Sequence, residues 1–312
     1  MRVLAVVFSM LLAVTGQAHA ARDAVRNCFD PQDPDLIRLW DGPAPGAAGD
    51  DPCLDIPYLR VFHAAHGDRP GPALLLLAGG GYDHLSNQKE QAPVATYFAS
   101  ELNITTFVLS YRLVQADGTY RYPVPMWDGQ RALKLIRHRA QAWQIDPARI
   151  GVFGFSAGGH LAATLALHPD MDFGLPARDA VDATSGAADL LGLGYPVISM
   201  DPAASGKSNT RAKLLHGYRG AQLHQLEQRL SAQDNVSART PPVFLFVSMD
   251  DQRIDPNNSV MFGDALNAAG VPNETHFFAH GAHGAGLADQ LPEERVWPEQ
   301  FKRWLTRQHF IP

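Results

Sequence analysis

Cysteine is scarce in this sequence: only Cys28 and Cys53 occur, both toward the N-terminal end and far along the chain from the residues singled out below. Basic charge is scarce too. Lys and Arg number 26 against 32 Asp and Glu, a formal net charge of −6, and no Lys/Arg stripe occurs, which argues against nucleic acid or an anionic membrane surface as a partner. Beyond residue 20, no apolar run approaches the thickness of a bilayer. Internal repeats and low-complexity tracts are absent. So are the phosphate-cradling signatures: there is no G-x-x-x-x-G-K-[ST], and no G-x-G-x-x-G after a first strand. What remains, 46% hydrophobic and 19% charged, is the composition of an ordinary globular domain, long enough to form one large α/β unit.

The first twenty residues, MRVLAVVFSMLLAVTGQAHA, combine a positive Arg2, a short apolar stretch Val3 to Val14 and an A-x-A site at Ala18-His19-Ala20. They read as a secretory signal peptide (1–20), so the chain is expected to be exported, periplasmic or extracellular, with no membrane anchor after cleavage. In that setting the cysteine pair reads as a disulfide across about 25 residues, the alternative being two free thiols. Residues 21–55, rich in Pro, Gly and Asp, read as an irregular N-terminal arm tied by that bond, and 56–312 as a single catalytic domain.

Strand and helix signals alternate through that domain. YLRVF, PALLLLAG, ITTFVLSYRL, RIGVFGF, PPVFLFVSMDD and ETHFFAHG read as strands. Helices are expected over QAPVATYFASEL, over DGQRALKLIRHRAQAWQI with Asp128 starting it and Asp146-Pro147 stopping it, over GGHLAATLAL, and over NSVMFGDALNAAG ending at Gly270. A closing helix, EERVWPEQFKRWLTRQ, carries its proline in the first turn or at a kink. The alternation predicts an α/β fold, a mostly parallel sheet with helices on both faces. Residues 185–240 are less periodic and are expected as an insertion over the strand ends.

Gly154-Phe155-Ser156-Ala157-Gly158 fits G-x-S-x-G between a strand and a helix, where a strained turn lifts the serine hydroxyl clear of the sheet. A hydroxyl needs a base and a carboxylate to orient that base, in the chain order Ser, Asp/Glu, His for this strand-turn-helix arrangement. Asp250 and Asp251 end one strand, and His283 follows the next in the loop AHGAHGAGL. His280 reads as a structural histidine, and a His280/His283 metal pair has no third ligand nearby. Acyl transfer also needs backbone N–H groups aimed at the developing oxyanion. Ala157 supplies one, and the Gly79-Gly80-Gly81 run after an early strand supplies the rest. Tyr82, beside those glycines, is a candidate substrate contact. Neither a metal nor an organic cofactor is required.

The runs AGGGYDHLS, EQAPVATYFASE, TTFVLSYRL, DGQRALKLIRHRA and IDPARIGVFGFSAGGHLAA, with YPVISM, TPPVFLFVSMDD and HGAHGAGL, resemble α/β-hydrolase-fold serine esterases of the bacterial acetylxylan and feruloyl esterase-like group over about residues 55–305. The resemblance implies Ser156 as nucleophile, His283 as base, Asp250 (first of the two aspartates) as orienting acid, and Gly80 and Gly81 in the oxyanion loop. It also implies a carbohydrate ester substrate, acetylated plant hemicellulose such as xylan. Ala78 stands where that group has proline, and Ala285 where it has phenylalanine, which is expected to widen the pocket. DDQRIDP replaces a more apolar turn, leaving Asp251 as the alternative acid. Two other readings stand beside this one. A prolyl-oligopeptidase-like peptidase shares the fold but usually carries a large gating domain, for which there is no room here, and a non-catalytic carbohydrate-binding protein would not need the triad.

Overall fold

The computed structural model describes residues 28–67, 69–176, 179–204 and 208–312; the expected signal peptide lies outside them. Eight strands are present: β1 Leu36–Arg38, β2 Tyr58–Phe62, β3 Gly71–Leu77, β4 Thr105–Ser110, β5 Ile145–Phe155, β6 Leu191–Gly194, β7 Val243–Ser248 and β8 Asn273–Phe278. They form one sheet in the order β1-β2-β4-β3-β5-β6-β7-β8. From β4 to β8 every pairing is parallel, while β1 and β2 close one edge antiparallel. Strands β3, β4 and β7 are buried at every position because helices cover both faces of the sheet, and β3 accordingly reads as a nearly unbroken apolar run.

The helices are α1 Asn87–Glu90, α2 Ala92–Glu101, α3 Val124–His138, α4 Ser156–Leu167, α5 Thr210–Leu214, α6 Gly220–Leu230, α7 Asn257–Ala268 and α8 Trp297–Arg307. Alternate strand residues point to opposite faces. Leu75, Leu77, Val152 and Leu193 join one core cluster with residues of α3, α4 and α7. Leu74, Leu76, Phe153 and Phe155 join the other with α2 and α8. On that second face Trp297, Phe301, Trp304 and Leu305 form the buried stripe of α8, and Trp297 stacks on Phe246 at 4.6 Å between ring centroids.

The expected α/β architecture is the one observed. Several local expectations need correction. Helix α3 begins at Val124, not Asp128, and ends at His138. Asp128 is inside the helix and fully buried because it pairs with Arg112. Asp146-Pro147 does not stop the helix; it lies in β5, which pairs with Gly71 before its register shifts. The stretch 185–240 is not wholly an insertion, because β6 runs between β5 and β7 in the middle of the sheet. Four residues, two of them glycine, carry no periodic signal. The arm is not wholly irregular either, since β1 pairs with β2. Pro298 falls in the first turn of α8. Cys28 and Cys53 are bonded. Among the described residues, no helix is long and apolar enough to cross a membrane.

Candidate active site

Ser156 sits where β5 turns into α4. Its φ is +50°, a left-handed value that a non-glycine residue adopts only where its surroundings impose it. Close approach of strand and helix explains the flanking glycines. A Cβ on Gly154 would stand 2.2 Å from the Gly158 carbonyl oxygen, and one on Gly158 would stand 2.3 Å from the Leu77 carbonyl oxygen. The sharp turn is therefore set by backbone contact on both sides. The serine hydroxyl is carried to the C-terminal edge of the sheet.

There Ser156 Oγ lies 2.8 Å from His283 Nε2, and His283 Nδ1 lies 2.7 Å from Asp251 Oδ2. A carboxylate only accepts, so Nδ1 carries the proton and Nε2 is free to accept from the serine. Ser156 and His283 are thus brought together as expected, but Asp250 is not their partner. The reason lies in the turn after β7. Asp251 Oδ1 accepts from the Arg253 and Ile254 amides at 2.7 and 3.1 Å, which points its side chain inward, with 1% of it exposed. Asp250 points outward, accepts from the Gly281 amide at 3.0 Å and faces His280 Nδ1 at 3.2 Å. The Gly281 N–H, with His280, holds the Asp250 carboxyl below its usual range. His280, largely exposed, is the partner of the outer aspartate and takes no part in the inner constellation.

The glycine run after β3 crosses beside Ser156. Gly80 has φ +127° and Gly81 φ +62°, and a Cβ on Gly80 would stand 2.1 Å from the His84 carbonyl oxygen, so the loop needs glycine to fold this tightly. Gly80, Gly81, Ser156 and His283 line one cavity of about 350 Å³. Ala157 is in the first turn of α4, where helix amides lack intrahelical acceptors. Tyr82 does not reach the cavity. Its side chain is fully buried, and its hydroxyl bonds His160 Nδ1 at 2.8 Å. His160 Nε2 donates to the Leu230 carbonyl at 2.8 Å, so Nδ1 accepts from the tyrosine. Burial lowers the His160 pKa to about 4, and it stays neutral. Tyr82 is therefore a packing residue that ties the glycine loop to α4. Ala285 also faces elsewhere, onto a neighbouring cavity of about 340 Å³ with Pro93 and Leu291, so it does not widen the Ser156 pocket.

Asp83, His84, Ser208, Asn209, Thr210 and Arg253 also line the pocket, with Ile254 as an apolar wall. The 185–240 stretch was expected near the strand ends; from it Ser208 to Thr210 line the cavity, and Tyr195 lies behind His283. Sequence reasoning missed Glu90 and Tyr195. Glu90, 1% exposed, accepts from the Gly79 amide at 2.7 Å and from the Tyr195 hydroxyl at 3.0 Å. Burial raises the Glu90 pKa, opposed by these donors and by the nearby His283. The Tyr195 ring packs against His283, centroids 4.9 Å apart. The only sequence signal was a charged residue at the head of an apolar helix pattern.

The fold and this Ser-His-Asp line define a protein of the α/β-hydrolase class. The BD-FAE family model matches residues 59–266, and the chain belongs to that family. Among curated proteins it is 29% identical over 237 residues to an acetylxylan esterase of Xylanibacter ruminicola, covering 75% of this chain and 45% of the relative. It is also 29% identical over 220 residues to endo-1,4-beta-xylanase B of Butyrivibrio fibrisolvens, covering 69% of this chain and 33% of the relative. The chain thus spans half or less of the length of these relatives. The crystal structure of an acetyl ester-xyloside bifunctional hydrolase from Caldicellulosiruptor lactoaceticus superposes with a TM-score of 0.77 at 33% identity, covering 89% of this chain and 97% of that one.

Proposed function

We propose that this chain is a serine carboxylic-ester hydrolase that removes acetyl, or another small acyl group, from a carbohydrate such as xylan. The observation that carries the reading is the continuous line from Asp251 Oδ2 through the His283 ring to Ser156 Oγ, opening on the glycine-lined cavity. Ser156 attacks the ester carbonyl as His283 Nε2 takes its proton. Asp251, not Asp250, holds the imidazole tautomer and balances the imidazolium. The Gly80, Gly81 and Ala157 amides stabilise the oxyanion, each donor contributing about 3 kcal/mol in such sites. As the tetrahedral intermediate collapses and its bond to the sugar oxygen breaks, the imidazolium protonates that oxygen to release the sugar hydroxyl, and neutral His283 then activates water to release the acyl group.

Polar lining supports a sugar leaving group over a long apolar one. The acetylxylan and acetyl-xyloside relatives support acetyl and xylan in particular. The N-terminal A-x-A segment and the Cys28–Cys53 bond support export to the periplasm or the medium. Acetate release from acetylated xylan, measured beside p-nitrophenyl acetate cleavage for wild type and Ser156→Ala, tests the reading. Wild type is expected to cleave both and Ser156→Ala neither. Cleavage of the small ester alone would refute xylan as substrate, and turnover by a folded Ser156→Ala would refute the nucleophile.

A further inference from the structure

Glu90 is a buried carboxylate that pairs with no cation among the described residues. Three donors balance it: the Ser86 hydroxyl at the head of its own helix, and two groups from other loops. The Gly79 N–H bonds Oε2 at 2.7 Å, and the Tyr195 hydroxyl bonds Oε1 at 3.0 Å. The same hydroxyl accepts from the Gly286 N–H at 3.0 Å, three residues past His283. A Cβ on Gly79 would meet Ser156 Cβ at 2.7 Å and Glu90 Oε2 at 3.0 Å, and one on Gly284 would lie 3.8 Å from Glu90 Oε1. One carboxylate therefore joins the glycine loop after β3, the turn after β6 and the histidine loop after β8, directly beside the nucleophile.

We infer that Glu90 is a positioning residue: through Gly79 and Tyr195 it fixes the oxyanion loop relative to His283, and its charge stabilises the imidazolium formed in the transition state. The inference rests on the proposed esterase reading. With His283 neutral, the buried charge has only dipoles as partners. When the ring takes the serine proton, Glu90 gains a counter-charge at the moment of reaction, without having to move. The titratable and charged groups facing His283 are Asp251, Glu90, Glu294 and Tyr195; those facing Glu90 are His283, Tyr195 and Tyr111. Asp251 supplies the direct bond, whereas Glu294 is engaged with Ser248 and the Ala282 amide. Glu90 is the carboxylate that also reaches the oxyanion loop.

The test is steady-state hydrolysis of p-nitrophenyl acetate across pH by Glu90→Gln, Tyr195→Phe and Ser156→Ala, with circular dichroism melts. Glu90→Gln is expected to lower kcat about 30-fold with KM changed less than about threefold, a loss confined to the transition state. Losing a negative charge near the imidazole should also move the acidic limb of kcat/KM down by about half a pH unit. Tyr195→Phe keeps the charge, so it should lower kcat and leave that limb in place. A folded Glu90→Gln with wild-type kcat and an unmoved limb, beside an inactive Ser156→Ala, would overturn this inference alone. An active Ser156→Ala would overturn the esterase reading and this inference with it. If Glu90→Gln does not fold, Tyr195→Phe decides: reduced kcat at unchanged KM supports the tie, and wild-type kcat refutes it.

Discussion

The two adjacent aspartates differ by one residue in the chain and by almost everything in environment. Asp251 is turned inward by two amides of its own turn, and Asp250 is half exposed and caps the histidine loop. Asp251→Asn should therefore lower kcat for p-nitrophenyl acetate about a thousandfold, because the amide disfavours the imidazole tautomer that leaves Nε2 free. Asp250→Asn should stay within about threefold, as an exposed pair contributes little. A side-by-side kinetic comparison checks this, and the reverse ranking would return the role to Asp250. Ser156, His283 and the glycines were legible in the sequence because each sits in a motif whose spacing expresses a local mechanical need. The choice of aspartate was not, since it depends on which amides the turn presents. Tyr82 misled for a related reason: adjacency to Gly81 says nothing about which way a side chain at φ +67° points.

Among the elements, α3 shows how tertiary pairing overrides a local signal. Asp128 looks like a helix start, yet its carboxylate binds the Arg112 side chain, with the shortest contact at 2.6 Å, and the Arg112 amide at 2.9 Å. Arg112 also donates to the Pro45 carbonyl, so this pair fastens α3 and the end of β4 to the N-terminal arm. Removing one member leaves a buried charge unpaired. Asp128→Ala should cost about 3–5 kcal/mol in urea-induced unfolding. A loss under about 1 kcal/mol would mean that the site rehydrates or rearranges at little cost. Strand β3 was legible because burial on both faces leaves a continuous apolar run, and β4 and β7 because β-branched and aromatic residues fill them. Strand β6 was not, since its Leu-Gly-Leu-Gly has neither length nor β-branched residues, and its two glycines are there for packing against Phe153 and Phe155.

At the scale of the molecule, the arm is held by several independent ties besides the disulfide. Arg60 pairs with Asp33 at 3.0 Å, Arg131 Nε bonds the Leu39 carbonyl at 2.8 Å, and Phe29 packs on Tyr58. The Cys28–Cys53 bond closes a 25-residue separation and should contribute about 3 kcal/mol by restricting the unfolded chain. Reduction, or Cys28→Ser with Cys53→Ser, should lower the melting temperature by about 5 °C without changing kcat, since neither cysteine lines the Ser156 cavity. An unchanged melting temperature would show that the other ties suffice.

From the sequence alone came the α/β architecture, the Cys28–Cys53 pairing, and the residues Ser156, His283, Gly80 and Gly81 that the fold gathers round one cavity. The architecture and the cavity residues follow from local necessity: hydrophobic period, turn chemistry, or a motif that works only between a strand and a helix; the pairing follows from there being just two cysteines. Tertiary structure alone decided which aspartate meets His283, that Tyr82 is buried against His160, and that Glu90 ties three loops under the site. These outcomes depend on contacts between segments tens of residues apart, where direction and distance are set by packing and leave no periodic trace in the chain.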